Sequence, residues 1–132
     1  MLLFDTSIFS CMLRKNAEAR LYHPELTSDA ALYMSVQALG EVMLWTHVRR
    51  WEEKRKRRLD QLLSQFAILP IDPATAHIYG EVVFSARSLG RPLSPQDAWI
   101  VATAKQYGLT LVTHDLGMTV AEKFGVTIIC RA

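Results

Sequence analysis

The sequence predicts an α/β fold in three layers, with a central, mainly parallel sheet flanked by helices. Short apolar runs, each too short for a helix, alternate along the chain with longer segments whose apolar residues recur at helical spacing. Strands that are separated by helices pair in parallel, with the helices packed on the faces of the sheet. The 132 residues match the usual size of one domain, and we expect residues 1–132 to form a single domain.

The elements of the first half are predicted from run length and apolar spacing. Polar residues with Pro24 make 14–30 a region of loop and helical turns. The apolar runs predicted to be strands are residues 1–4, 32–36 and 67–71. The segments predicted to be helices are residues 6–13, 37–50 and 51–66.

Turn and cap residues delimit the elements of the second half. Asp72 and Pro73 end the third strand and begin a helix, which Gly90 ends. Ser94 followed by proline is a strong helix start, and Gly108 stops that helix. The remaining predicted elements are a strand at 109–113, a short helix at 116–124 and a strand at 126–130.

The composition is that of an ordinary globular protein and excludes several classes. No run of 18 apolar residues is present, so no transmembrane helix or membrane partner is predicted. The first residues lack the basic segment of a signal peptide, and we expect a cytoplasmic protein. Cys11 and Cys130 match no zinc-ligand spacing and are expected to be buried or unreactive thiols. His114 is expected to be an exposed loop histidine.

Four acidic residues are the candidate catalytic and metal-binding residues. Asp5 and Asp115 directly follow the first and fourth strands, and Glu41 lies in the first turns after the second strand. In parallel sheets, sites lie outside the carboxyl ends of the strands, and Asp97 reaches the same pocket if its helix begins nearby. Four converging carboxylates repel one another unless a cation neutralises them, and oxygen ligands favour Mg²⁺ or Mn²⁺ over zinc.

Each acid alone also has a structural explanation. Asp97 lies three residues after a serine N-cap, where an acid completes a capping box. Asp5 and Asp115 occupy positions that suit turns and helix starts. Glu41 has mostly apolar neighbours and is harder to explain as part of a solvated face. The set of four therefore indicates function more strongly than any single member does.

A basic run at 49–58 is the second candidate feature, with seven basic residues among ten. One interpretation is an RNA contact in which Trp51 stacks on a base. The alternatives are a solvated helix face, partly paired as Glu52–Lys56 and Glu53–Arg57, or a surface for an acidic partner segment. The candidate RNA-binding residues are Arg49, Arg50, Lys54 and Arg57.

Four segments together resemble the PIN-domain family, in particular toxins of the VapC type. They are residues 3–7 (Leu-Phe-Asp-Thr-Ser), 35–42, 95–104 and 111–115 (Leu-Val-Thr-His-Asp). The resemblance implies a PIN fold, RNA cleavage with Mg²⁺ or Mn²⁺, a homodimer, and a cognate VapB-like antitoxin that inserts into the active site. Thr6 and Thr113 resemble the hydroxyl residues that support the acids in this family.

The sequence departs from the family at one position. Many relatives carry asparagine where this chain has Asp115 and a further acid three residues later, where this chain has Met118. The fourth carboxylate is therefore Asp115 itself, or it is absent. Three alternatives stay open: a PIN nuclease of RNA maturation or decay, a degenerate PIN scaffold that only binds RNA or protein, and an unrelated receiver- or flavodoxin-like module. The absence of a phosphate-binding glycine loop disfavours the last.

The mechanism hypothesis is metal-assisted hydrolysis of RNA. Divalent cation on the four acids, in one or two sites, lowers the pKa of a bound water and so supplies the hydroxide that attacks phosphorus. The products would carry a 5′-phosphate and a 3′-hydroxyl.

Overall fold

A single five-stranded sheet forms the centre of the computed structural model, which describes residues 1–14 and 17–132. All four strand pairings are parallel, and the strand order is β3-β2-β1-β4-β5. The predicted fold class is therefore confirmed. The strands are β1 (Leu2–Phe4), β2 (Leu32–Ser35), β3 (Ala67–Leu69), β4 (Thr110–Thr113) and β5 (Ile128–Cys130).

Helical segments connect the strands and cover the sheet. Two of them are 3-10 helices, spanning Ala17–Tyr22 and Leu116–Phe124. The predicted short helix at 116–124 therefore exists but is wound more tightly than an α-helix. The α-helices are α1 (Thr6–Arg14), α2 (His23–Leu26), α3 (Val36–Val48), α4 (Glu53–Leu63), α5 (Pro73–Ser88) and α6 (Pro95–Tyr107).

Local capping interactions explain where the helices begin and end. The Ser35 hydroxyl accepts a hydrogen bond from the backbone of Ala38 at 3.0 Å, so α3 begins at Val36, which the sequence had placed in the strand. Pro73 is the first residue of α5 as predicted, and Asp72 caps the helix by accepting from the backbone of Thr75 at 3.0 Å. Gly108 ends α6 in the left-handed conformation (φ 64°), which glycine adopts without steric cost.

The strand order reverses between β1 and β4. From β1 the chain proceeds outwards to β2 and β3, and then crosses back to place β4 on the other side of β1. The carboxyl ends of β1 and β4 therefore meet at the switch point, the usual ligand-binding position of such sheets.

The core packs aromatic side chains against the buried sheet. The Phe66 ring lies 5.3 Å from that of Phe4 and 4.9 Å from that of Phe9, joining α1 to the end of α4. Tyr79 and Trp99 stack between α5 and α6 with centroids 4.0 Å apart. Among the residues described, no helix combines the length and apolarity needed to cross a membrane.

Candidate active site

Asp5 is the most enclosed of the four acids, with 2% of its surface exposed. Its Oδ1 atom accepts hydrogen bonds from the backbone and hydroxyl of Thr6 at 2.8 and 3.3 Å. Its Oδ2 atom accepts from the hydroxyls of Ser7 and Thr113, both at 2.8 Å. Four donors from two strand ends therefore hold this carboxylate in one orientation at the switch point.

The hydroxyls of Thr113 and Ser7 tie the loop after β4 to the end of β1. Thr113 Oγ1 accepts from the backbone of Asp115 at 3.1 Å while it donates to Asp5. Ser7 Oγ accepts from the backbone of His114 at 2.9 Å. Thr6 and Thr113 thus lie where the family resemblance implied, and Ser7 is an additional contact. The sequence signal for Ser7 was its place two residues after Asp5, among small hydroxyl residues.

Asp97 and Glu41 face the same cluster of negative charge. Burial and the charge of Asp5 raise the pKa of Asp97 to about 6, with smaller contributions from Asp115 and Glu41 and an opposing hydrogen bond from Ser94. Burial also raises the pKa of Glu41, opposed by a hydrogen bond from Thr6, and the charge of Asp5 adds to the increase. Asp97 therefore lies close enough to be repelled by Asp5, Asp115 and Glu41, and Glu41 is repelled by Asp5.

Asp115 is the exposed member of the set. Its Oδ1 atom accepts from the backbone of Gly117 at 2.8 Å and so caps the second 3-10 helix. Met118, at the position where relatives carry a further acid, is fully buried, and its sulfur lies 3.4 Å from Thr113 Oγ1. Met118 belongs to the core, so Asp115 is the candidate for a fourth carboxylate in this segment.

The donor set fits a hydrated hard cation. All four side chains offer carboxylate oxygens, the ligands that Mg²⁺ and Mn²⁺ favour. Within the described ranges, no three of these acids bring one oxygen each within 4.8 Å of the others. One ion on three of these carboxylates would therefore need water ligands to bridge the remaining distance, or a shift of the side chains.

Because the pKa of Asp97 is raised in the folded protein, we expect the stability of the metal-free protein to depend on pH between about 4 and 6. The pKa rises from 3.8 to about 6 on folding. The folded chain therefore holds this proton more tightly, and the free energy of unfolding falls as pH rises between those values. After a discount for partial exposure, we expect a loss of about 1 kcal/mol, or roughly 4 °C in Tm.

Thermal unfolding of EDTA-treated protein from pH 4 to pH 7 measures this effect. Other carboxyls also titrate in that range, so the informative quantity is the difference between the wild-type protein and Asp97→Asn. We expect Tm of the variant to fall less across the window. Parallel curves for the two proteins would contradict the assignment of the effect to Asp97.

The basic run lies at the junction of α3 and α4, around a cleft of about 380 Å³. Trp51 is only 6% exposed, and the Arg55 guanidinium lies 4.1 Å from its ring centroid. The predicted stacking of Trp51 on an RNA base is therefore wrong. Glu53 pairs with Lys56 at 3.6 Å rather than with the predicted Arg57. The cations that line the cleft are Arg49, Arg50, Lys54, Arg55 and Arg58, so Arg57 is outside the lining.

His114 is less exposed than the sequence predicted for a loop histidine. Its side chain is 17% exposed, and its Nδ1 atom lies 2.7 Å from the hydroxyl of the fully buried Tyr22. The prediction was wrong because Tyr22, at the end of the first 3-10 helix, packs over the carboxyl end of β4.

Comparisons with known proteins show similarity over almost the whole chain. The sequence model of the PIN domain matches residues 2–123. The chain is 32% identical to Toxin FitB of Neisseria gonorrhoeae over 96% of each protein. It is 31% identical to Ribonuclease VapC4 of Mycobacterium tuberculosis, over 86% of this chain and 85% of that protein. The crystal structure of FitAcB from N. gonorrhoeae superposes with a TM-score of 0.79 at 30% identity, covering 98% of this chain and 96% of that one.

Proposed function

Because the chain belongs to the PIN-domain family, we propose that it is a Mg²⁺- or Mn²⁺-dependent endoribonuclease that acts as a VapC-type toxin and is inhibited by a cognate VapB-like antitoxin. The observation that carries the proposal is that Asp5, Asp115 and Glu41 all act on the carboxyl of Asp97 and raise its pKa. A protein keeps such mutual repulsion where a bound cation relieves it. The relatives named for toxin and ribonuclease activity cover most of the chain.

In this proposal Asp5, Glu41, Asp97 and Asp115 hold the cation, directly or through water. When bound, the cation activates water as a nucleophile and neutralises charge that develops on phosphate. Asp5 is the rigid member, fixed by hydroxyl donors from α1 and β4. Its hydroxyl partner Thr113 also sets the backbone position of Asp115.

We further propose that RNA approaches along two surfaces. A cleft of about 270 Å³ beside Glu41 is lined by Gln37 and Gln96, whose amides can donate to and accept from phosphate, ribose and bases. The basic cleft at the α3–α4 junction offers five cations to the phosphate backbone. The basic cleft is equally suited to an acidic antitoxin segment, so RNA binding needs a direct test.

Removing two charges from the basic cleft is expected to weaken RNA binding in a salt-dependent way. For Arg49→Gln with Arg50→Gln, the slope of log affinity against log salt should fall by about 1.4, since each single-strand phosphate contact contributes about 0.7. Fluorescence anisotropy with single-stranded RNA in EDTA measures binding without cleavage. The double variant Lys105→Gln with Lys123→Gln, both exposed, is the charge-matched control. Equal slopes in the two variants would assign the cleft to another partner.

Association of two copies is also part of the proposal. Large apolar side chains are exposed on α3 and α5: Leu44 at 57%, Val48 at 70% and Phe84 at 73%. Burying them against a second copy would remove apolar surface from water. We propose that residues 1–132 act as one domain, dimerise through such a surface and work in the cytoplasm, where RNA substrates are found. Light scattering at twice the 15.0 kDa of one chain would support the dimer.

The activity is tested with antitoxin-free protein and total cellular RNA. We expect discrete products with Mg²⁺ or Mn²⁺, none with EDTA, and suppression when the antitoxin is added back. Sequencing of the product ends identifies the RNA and should show 5′-phosphates. Cleavage that persists in EDTA would overturn the metal-dependent mechanism, and unchanged cleavage with every VapB-like protein encoded beside the gene would overturn the toxin assignment.

A further inference from the structure

A second group of ligand-type side chains lies behind the loop that carries Asp115. The sulfur of Cys11, a carboxylate oxygen of Glu18 and a ring nitrogen of His114 all lie within 4.8 Å of one another. Cys11 Sγ is 3.6 Å from Glu18 Oε2, which is 3.7 Å from His114 Nε2. The three residues come from α1, the first 3-10 helix and the loop after β4. Three separate segments thus converge on one point.

The hydrogen bonds of Tyr22 leave His114 Nε2 as the ring atom with a lone pair. By the register of β4 and β5, the next ladder bond would run from the backbone N–H of Arg131 to the carbonyl of Thr113. The Tyr22 hydroxyl is inserted there, accepting from Arg131 at 2.9 Å and donating to Thr113 at 3.1 Å. Its single proton is then used, so His114 Nδ1, 2.7 Å away, is the donor to the hydroxyl.

The two distances from Glu18 are close to those of tetrahedral coordination. Metal–ligand lengths of about 2.0–2.3 Å for zinc and a tetrahedral angle near 109° place ligand atoms roughly 3.4–3.6 Å apart. The separations involving Glu18 are 3.6 and 3.7 Å. An N···O distance of 3.7 Å is too long for an effective hydrogen bond but close to the distance that one ion would bridge.

We propose that Cys11 Sγ, Glu18 Oε2 and His114 Nε2 form a binding site for Zn²⁺. The Glu18 side chain is 54% exposed, so water can reach the site and complete the tetrahedron. Binding converts the Cys11 thiol to a thiolate and releases its proton to solvent. Tyr22 acts as the outer partner that orients the imidazole, as such partners do in zinc sites. The ion would clamp α1 and the first 3-10 helix to the loop that positions Asp115.

Thiolate and imidazole ligands separate this site chemically from the carboxylate cluster. Such ligands select Zn²⁺, whereas the oxygen cluster accepts Mg²⁺. Zn²⁺ binding is therefore measured by competition with a chromophoric chelator in excess Mg²⁺, which keeps the carboxylate cluster occupied. We expect one Zn²⁺ per chain and a rise in Tm. The Co²⁺-loaded protein should show thiolate-to-cobalt charge-transfer absorption.

The decisive variants are Cys11→Ser and Glu18→Gln, with Cys130→Ser as the matched thiol control and Asp97→Asn as the control for the carboxylate cluster. Loss of either ligand should weaken Zn²⁺ binding by about 100-fold or more, beyond the 10- to 100-fold typical of outer partners. Both controls should bind Zn²⁺ with an affinity within about threefold of that of the wild-type protein.

At saturating Co²⁺, the charge-transfer band should disappear in Cys11→Ser and persist in Glu18→Gln and in both controls. If that variant does not fold, Glu18→Gln decides, because its side chain is largely exposed. Displacement of Zn²⁺ by millimolar Mg²⁺, or equal losses in Cys11→Ser and Cys130→Ser, would overturn the proposal. So would loss of binding in Asp97→Asn, which would move the ion to the carboxylate cluster.

Discussion

Replacing Asp97 by asparagine is expected to lower the rate of metal-dependent RNA cleavage by about 10³-fold or more. Cation charge at the reacting phosphate is worth several kcal/mol, and each 1.36 kcal/mol is a factor of ten in rate. The same change should leave the metal-free protein equally stable or raise its Tm. The reason is that burial and the charges of Asp5, Asp115 and Glu41 all disfavour the Asp97 carboxylate.

The combination of lost activity and retained stability distinguishes a functional acid from a structural one. Cleavage is measured under single-turnover conditions with Mg²⁺, and Tm is measured in EDTA. Asp60→Asn is the matched control, because Asp60 is an exposed acid on α4. A drop in Tm together with the lost activity would mean that Asp97 stabilises the N-terminus of α6 and has a structural role. Activity within about tenfold of wild type would exclude Asp97 from the cation site.

Replacing Thr113 by valine is expected to be among the more destabilising conservative changes in the chain. The side chain is fully buried, and its hydroxyl both donates to the Asp5 carboxylate and accepts from the backbone of Asp115. Hydrogen bonds to charged groups contribute about 1.5–3 kcal/mol, so we expect a loss of about 2–3 kcal/mol in the free energy of unfolding. That corresponds to roughly 8–12 °C in Tm for a chain of this size.

Cleavage should fall as well, by about 10- to 100-fold, the usual cost of removing a partner that orients a metal ligand. Thr113→Ser keeps the hydroxyl and should recover most of both losses. Thr103→Val is the matched buried control, since among residues 1–14 and 17–132 the Thr103 hydroxyl bonds only to the carbonyl of Trp99 in its own helix. Equal destabilisation at Thr103 and Thr113 would show that the hydrogen bonds around Asp5 add nothing to the free energy of unfolding beyond those of an ordinary buried threonine.

Several features of the fold and the site were predictable because they depend on local sequence. Apolar run length and spacing predicted the positions of the five strands along the chain. Ser94 and Gly108 set the ends of α6 through capping and a left-handed turn. The position of Asp5 and Asp115 at one edge of the sheet was predictable because both residues follow parallel strands. The boundary between β2 and α3 was not predictable in this way, because one hydrogen bond to the Ser35 side chain decided that Val36 belongs to the helix.

The sequence by itself thus determined the α/β architecture, the positions of Asp5 and Asp115 at the ends of two parallel strands, and the basic character of residues 49–58. Only the tertiary structure decided what distant segments do to one another. Packing buried Trp51 in the core, brought Thr113 to the carboxylate of Asp5, and inserted Tyr22 between β4 and β5 beside His114. Local propensity acts within a few residues, whereas burial, charge repulsion and ligand convergence depend on distances between segments far apart in sequence.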